Sequence, residues 1–227
     1  MNKYAVIVAG GIGHRMGTQV PKQFLHLQGK SLLWHTLAAF LKAYIDLQII
    51  LVLTQENLTE GESIIKDLNA KERINLTIGG STRFHSVQNG LALIKEPSVI
   101  FIHDGVRCLI SQDLIYRCYE QALAMGSAIP AVAATDSIRI VDETYHSVAN
   151  RNDIRIIQTP QTFLSSIILP AYQTTYQEAF TDEATVVEAA GQKIFLINGD
   201  YENIKITRPV DLLIAESILT ERSMRNK

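Results

Sequence analysis

The sequence predicts an α/β fold: a twisted, mainly parallel β-sheet with helices on both faces. Three observations lead there. Short runs of apolar, largely β-branched residues recur without polar alternation, as in strands buried on both faces. Segments with helical apolar spacing separate them, the pattern of successive βαβ units. The first apolar run ends in a cluster of glycines, and sheets of this kind bind ligands beyond the carboxyl ends of their strands.

Taken in order, residues 4–9 (YAVIVA) read as the first buried strand. Ser31 is placed to cap a helix whose inward face carries Leu32, Leu33, Leu37 and Phe40. Residues 48–53 (QIILVL) form a second strand, and residues 56–68 a helix with Leu58, Ile64, Ile65 and Leu68 inward. A third strand covers 74–78 (INLTI), followed by Gly79 and Gly80, a helix over 86–94 and a strand over 99–102 (VIFI) that runs into His103 and Asp104. Ser111 opens a helix reaching Ala124, and residues 128–132 return as a strand. Towards the end, residues 193–197 read as a strand, 203–207 as a further one, and 210–221 as a helix with Pro209 in its first turn. Residues 134–158 break this rhythm. Two strands, 137–141 (SIRIV) and 154–157 (IRII), joined by a polar connection over 142–152, predict a hairpin arm projecting from the sheet. Such an insertion serves a partner or a ligand, or is a plain surface hairpin; the pattern alone fits either.

Composition narrows the function classes. With 227 residues, 47% hydrophobic and 19% charged, the chain has the balance of a globular protein with room for a real core. A formal net charge of -2 lacks the basic surplus of a nucleic-acid binder. No apolar run approaches the roughly 20 residues that span a bilayer, and the run ending at Gly10 and Gly11 has neither the length nor the cleavage site of a secretory signal. Cys108 and Cys118 have no metal-ligand spacing and read as reduced thiols. The expectation is a cytoplasmic protein with neither a nucleic-acid nor a membrane partner.

The chemistry concentrates in a few segments. After the first strand come residues 9–17 (AGGIGHRMG) and then Pro21, Lys22 and Gln23. Glycines let backbone N–H groups surround phosphate oxygens, and Arg15 and Lys22 add full charges. The loop has no Gly-Lys-Ser/Thr of the Walker type, and Met16 stands where the dinucleotide fingerprint needs glycine. A tight strand-to-helix turn with incidental charges remains the alternative. Asp104, at a strand's carboxyl end with Arg107 three residues on, suits a Mg²⁺ ion shared with phosphates, or the cap of a turn.

These residues carry a specific resemblance. Residues 9–17 with 21–24 (PKQF), then 79–83 (GGSTR) with Ser86 and Val87, 103–107 (HDGVR), 158–161 (QTPQ), 180–184 (FTDEA) and 203–209 (NIKITRP) stand in the order found in polyol-phosphate cytidylyltransferases, the 2-C-methyl-D-erythritol 4-phosphate type above all. The resemblance spans nearly the whole chain. It implies one nucleotidyltransferase domain over residues 1–227, of the nucleotide-diphospho-sugar transferase, Rossmann-like kind, with an arm at 134–158 that forms a homodimer. It implies transfer of a cytidylyl group from CTP to the polyol phosphate with release of pyrophosphate, and a Mg²⁺ or similar divalent cofactor held by Asp104.

Site roles follow from the same resemblance. Arg15, Lys22, Arg151 and Lys205 fall on catalytic positions, and CTP is met by Ala9, Gly10, Gly11, Gly13, Arg15, Lys22, Gly80, Arg83, Ser86, Asp104 and Lys205. The polyol phosphate is met by Asp104, Arg107, Ser137, Arg151, Thr159, Thr181, Asp182 and Lys205. Ser137 stands where the family commonly has threonine. Arg83 is also readable as a first-turn surface charge, and Thr181 or Asp182 as a helix N-cap. His103 and the cysteines read as packing and His14 as loop surface. A ribitol 5-phosphate cytidylyltransferase and a non-catalytic nucleotide-binding protein are the competing functions. The last would be expected to lack one of Arg15, Lys22, Asp104 or Lys205, and all four are present.

Overall fold

Strand β1 (Asn2–Val8) opens the chain in the computed structural model, which describes residues 1–11 and 20–225. A small hairpin, β2 (His26–Leu27) and β3 (Lys30–Ser31), leads into α1 (Leu32–Ala43), capped by the Ser31 hydroxyl, which accepts from Trp34 N–H. Next come β4 (Gln48–Leu53), α2 (Leu58–Asp67), β5 (Ile74–Ile78), α3 (Arg83–Leu91), β6 (Ser98–Asp104), α4 (Gln112–Met125) and β7 (Ser127–Ala133). The arm holds β8 (Ile138–Val141) and β9 (His146–Ala149). The chain then returns through β10 (Arg155–Ile157), β11 (Gln161–Leu164), α5 (Ser165–Ala171), α6 (Glu183–Ala189), β12 (Leu196–Asn198) and α7 (Pro209–Arg225).

The main sheet runs in the order β10-β7-β11-β6-β1-β4-β5, with β12 also on β7. Strands β6, β1, β4 and β5 are mutually parallel, so their carboxyl ends share one rim. Strand β11 is antiparallel to both β6 and β7, and β10 is antiparallel to β7.

Successive side chains of a strand point to opposite faces, and the buried runs divide accordingly. Ile49, Leu51, Phe101 and Ile7 meet Leu37 and Phe40 of α1 and Leu114 and Ile115 of α4 on one face. Ile50, Val52, Ile100 and Val6 meet Phe84 and Val87 of α3 and Val186 and Val187 of α6 on the other. Both faces are apolar because both are covered, which is why these strands read as continuous hydrophobic runs.

Several expected boundaries move, each for a local reason. Helix α3 starts three residues before the expected Ser86, because the Thr82 hydroxyl accepts from His85 N–H and caps it there. Residues 154–157 do form a strand but not the hairpin's second one: Arg155, Ile156 and Ile157 pair with Ala133, Val132 and Ala131 of the main sheet. The true hairpin partner is β9, within the stretch read as a polar connection. Its turn is set by Asp142, whose carboxylate accepts from the Thr144 and Tyr145 N–H groups. The expected strand over 203–207 is irregular chain, anchored by Ile206 N–H on the Val106 carbonyl at 3.1 Å. The strand expected at 193–197 is displaced to Leu196–Asn198.

Gly105 follows β6 where the strand end presses on β1. A Cβ there would stand 2.8 Å from Ala9 Cβ and 3.3 Å from the Val8 carbonyl. Neither neighbour can swing aside. Gly105→Ala is expected to destabilise the protein by roughly 1–3 kcal/mol through overpacking, measured as a lowered urea midpoint with an unchanged slope.

Candidate active site

The shared rim holds a cavity of about 380 Å³. Three strand ends build it: Ala9, Gly10 and Gly11 after β1, Gly80, Ser81 and Thr82 after β5, and Asp104 at the end of β6. Lys22, Gln23, Arg83, Ser86, Val106 and Lys205 complete the lining. Segments far apart in sequence meet because parallel strands put every carboxyl end on one side.

Asp104 is the electrostatic centre. It is buried, and three cations converge on it: Lys205 Nζ at 2.9 Å from Oδ2, Arg83 Nε at 3.3 Å from Oδ1, and Arg107 Nε at 3.7 Å from Oδ2. Burial alone would raise its pKa. Arg83, Lys205 and Arg107 overcome that and hold the carboxyl well below the usual range. Arg83 also turns both terminal nitrogens onto Glu183, with Nη1 on Oε1 and Nη2 3.1 Å from Oε2. Glu183 is fully buried; burial pushes its pKa up and the adjacent Arg83 opposes the shift.

The backbone of Asp104 is fixed from behind. Its N–H donates to Thr159 Oγ1 at 3.1 Å, and that hydroxyl lies 3.0 Å from His103 Nδ1. His103 Nε2 lies 3.1 Å from the Arg107 carbonyl, so the ring carries its proton on Nε2 and receives the threonine hydroxyl on Nδ1. Burial lowers the His103 pKa from 6.5 to about 4 and keeps the imidazole neutral.

The glycine turn after β5 is shaped by Ser86. Its hydroxyl donates to the Thr82 carbonyl at 3.0 Å and accepts from Gly80 N–H at 3.1 Å. A Cβ on Gly80 would lie 2.4 Å from His85 Cβ, so the turn excludes side chains there. Lys22 Nζ donates to the Ile206 carbonyl at 3.2 Å, which brings the 203–207 segment against the loop after β1.

Of the residues singled out in the sequence, the cavity brings together Ala9, Gly10, Gly11, Lys22, Gly80, Arg83, Ser86, Asp104 and Lys205. Gly13, Arg15, His14 and Met16 lie outside the described residues. Arg107 sits behind the lining, with Nη1 donating to the Asn203 carbonyl at 2.8 Å. Thr159 is buried beneath Asp104. Asp182 caps α6, accepting from Thr185 N–H in a capping box, and Thr181 is exposed beside it. Ser137 and Arg151 are exposed on the arm, Arg151 donating to the Thr135 carbonyl at 3.0 Å. Cys108 and Cys118 are free and buried, and burial pushes each thiol up to about 12, so both are inert packing.

Gln23 and Glu183 stood within the quoted motifs but were assigned no site role from sequence. Gln23 is buried and donates to the Ala9 carbonyl at 2.8 Å, bracing the loop after β1. Glu183 was visible only as the neighbour of a helix cap; no local pattern links it to an arginine 100 positions away.

The donor set fits a hard cation only in part of its shell. Among the described residues no three His, Cys, Asp or Glu side chains cluster as ligands, and Asp104 is the sole carboxylate lining the cavity. Mg²⁺ suits such a site, because it keeps much of its shell from water and phosphate and uses one or two carboxylates. Lys205, with 40% of its side chain exposed, can leave Oδ2 when other ligands arrive.

Residues 4–221 match the profile of the IspD family, 2-C-methyl-D-erythritol 4-phosphate cytidylyltransferase. The chain belongs to this family. Family members of that name from Bacteroides fragilis and Phocaeicola vulgatus are 42% and 41% identical over 219 residues, covering 96% of this chain and all of theirs. The fold agrees. A 4-diphosphocytidyl-2C-methyl-D-erythritol synthase from Anaerococcus prevotii superposes with a TM-score of 0.82 at 26% identity, over 96% of this chain and 98% of that one. The bifunctional IspDF of Campylobacter jejuni matches with a TM-score of 0.80 at 26% identity, over 94% of this chain and 54% of that longer one. No described helix is long and apolar enough to cross a membrane.

The pKa shifts behind the cavity set an acid limit for the fold. The neutral His103 contributes stability in full above 6.5, and that contribution is lost as pH falls from 6.5 towards 4, by up to about 3 kcal/mol. Asp104 adds a second loss below 3.8, as the unfolded chain takes up protons that the folded carboxylate refuses. Urea-unfolding free energies measured between pH 7 and 4.5 are expected to fall steeply in the native protein, and less steeply in His103→Gln.

Proposed function

We propose that this cavity catalyses the reaction of the family: a phosphate oxygen of 2-C-methyl-D-erythritol 4-phosphate attacks the α-phosphorus of CTP. A new P–O bond forms, the bond from the α-phosphorus to the bridging oxygen of the β-phosphate breaks, and pyrophosphate leaves. The product is 4-diphosphocytidyl-2-C-methyl-D-erythritol, an intermediate of non-mevalonate isoprenoid precursor synthesis. The observation that carries the reading is the convergence of Lys205, Arg83 and Arg107 on one buried carboxylate beside a glycine-lined cavity.

Joining two polyanions is chiefly a problem of positioning and charge. The incoming phosphate is already ionised near neutral pH, so no general base is needed. Backbone N–H groups of Gly10 and Gly11 cradle the triphosphate, a role the sequence extends to Gly13 and Arg15, and Lys22 stabilises the charge that builds on the five-coordinate α-phosphorus. The turn of Gly80, Arg83 and Ser86 receives cytidine. Lys205 moves from Asp104 onto phosphate as the substrates enter. Asp104 would be the residue to hold Mg²⁺ or a similar divalent ion, which would supply charge neutralisation of the triphosphate. Arg107, Thr159, Thr181 and Asp182 shape the polyol side, Arg107 and Thr159 by holding Asp104 from behind.

The arm of residues 134–158 supports a homodimer. Ile140, Val141, Tyr145 and Val148 are 63–74% exposed on a hairpin that has its own two-stranded sheet. A second copy covering them symmetrically would remove that apolar surface from water, and would bring Ser137 and Arg151 of one protomer to the polyol phosphate of the other. The reading keeps the protein in the cytoplasm, where its substrates are soluble phosphates.

Pyrophosphate release is expected with CTP and 2-C-methyl-D-erythritol 4-phosphate, and not with ATP, GTP or UTP. Equal turnover of ribitol 5-phosphate would move the assignment to the sibling enzyme, and no turnover with any polyol phosphate would leave a nucleotide-binding protein. Excess EDTA is expected to abolish the activity. Lys22→Ala is expected to lower kcat by about 100- to 1,000-fold with a smaller change in the KM for CTP.

For the shared site, Arg151→Ala and Lys22→Ala chains are mixed after subunit exchange is demonstrated by mass spectrometry of tagged protomers. Partial recovery of activity is expected, because one site of each mixed dimer is then wholly native. A mixture as inactive as its parents would refute the contribution of the arm.

A further inference from the structure

Arg83 is the first residue of α3 and Glu183 the first of α6, so their contact joins the starts of two helices 100 positions apart. For Glu183 this is a favourable place, facing the positive end of its own helix dipole; for Arg83 it is unfavourable. The arginine therefore does nothing for α3 by itself. Its surroundings hold it there: Phe84 stacks on Tyr172 at 4.8 Å and on Phe180 at 5.7 Å, fastening the chain before α6 onto α3. The Tyr172 hydroxyl donates to Glu183 Oε1 at 3.4 Å. A fully buried carboxylate is tolerated only when paired, and a hydrophobic replacement of such a pair is commonly no less stable. Stability alone does not account for it.

The geometry of the guanidinium does. Glu183 takes one N–H from each terminal nitrogen of Arg83, and the hydrogen bond that Arg83 gives Asp104 comes from Nε, directed at Oδ1. Oδ2 is left to Lys205, a residue of the cavity lining, with Arg107 Nε 3.7 Å away. Without the charge of Glu183, the fork of Arg83 is free to turn onto Asp104, and an arginine fork grips a carboxylate by both oxygens.

We propose that Glu183 is a positioning residue for cytidylyl transfer: it occupies the fork of Arg83 so that Asp104 keeps one oxygen for the cavity. Through the same contact it ties the turn of Gly80 to Ser86 to the segment carrying Thr181 and Asp182. The proposal rests on the cytidylyltransferase reading above.

The test is a double-mutant cycle on kcat, with folding checked by thermal denaturation. Glu183→Gln keeps the length and one acceptor. It is expected to lower kcat about thirtyfold when Arg83 is present. In an Arg83→Gln background, itself impaired, the same substitution is expected to change kcat less than threefold, because no fork is left to restrain. A merely structural Glu183 would lower the melting temperature and act by the same factor in both backgrounds; that result would overturn the proposal.

Should Glu183→Gln fail to fold, Tyr172→Phe serves in its place. It removes one hydrogen bond to Glu183 and is expected to lower kcat about threefold with Arg83 and not at all without it; equal effects would again overturn the proposal. The native enzyme is assayed first. Absence of pyrophosphate release there would reject the cytidylyltransferase reading, and the proposal with it. Native turnover with additive variants rejects the role of Glu183 alone.

Discussion

A carboxylate kept ionised inside the protein is the constraint on which the rest of this structure depends. Asp104 stands at the end of a strand buried along its whole length, where an unpaired charge would be prohibitively expensive. Its three cationic partners come from the start of α3, the loop after β6 and the irregular segment before α7. Each needs an anchor of its own. Arg83 has Glu183, Arg107 has the Asn203 carbonyl, and the lysine segment is pinned by Ile206 on Val106. Satisfying one buried charge thus organises α3, α6 and the carboxyl-terminal third of the chain around one rim.

The same arrangement leaves the site with a surplus of positive charge, since Lys22, Arg83, Arg107 and Lys205 stand against Asp104 and Glu183. Lys205 is the most exposed of the three partners and, like Arg83, lines the cavity. An anionic ligand that draws Lys205 away would uncover the Asp104 oxygen it now covers.

Much of this was legible in the sequence. The parallel strands declared themselves because burial on both faces makes them apolar throughout, and β4 and β5 fall on the expected residues. Glycines at strand ends and Asp104 after its apolar run marked the rim. What stayed hidden depends on partners distant in the chain. Residues 154–157 look like a hairpin strand, and only the sheet decides that they pair with β7. The segment around Lys205 alternates like a strand because Ile206 packs into a small cluster with Leu27 and Ala215, without any strand to pair with. Glu183 stood in the 180–184 segment without a role of its own, since its meaning lies in Arg83.

Strand β11 lies antiparallel between β6 and β7, although it follows both in sequence. A chain emerging from its amino terminus therefore completes β1, β4, β5 and β6 while one flank of β6 has no neighbour. That flank belongs to a strand buried along its whole length, and open apolar edges recruit other chains. The vulnerable interval in the life of this protein is its synthesis, between the appearance of β6 and the insertion of β11.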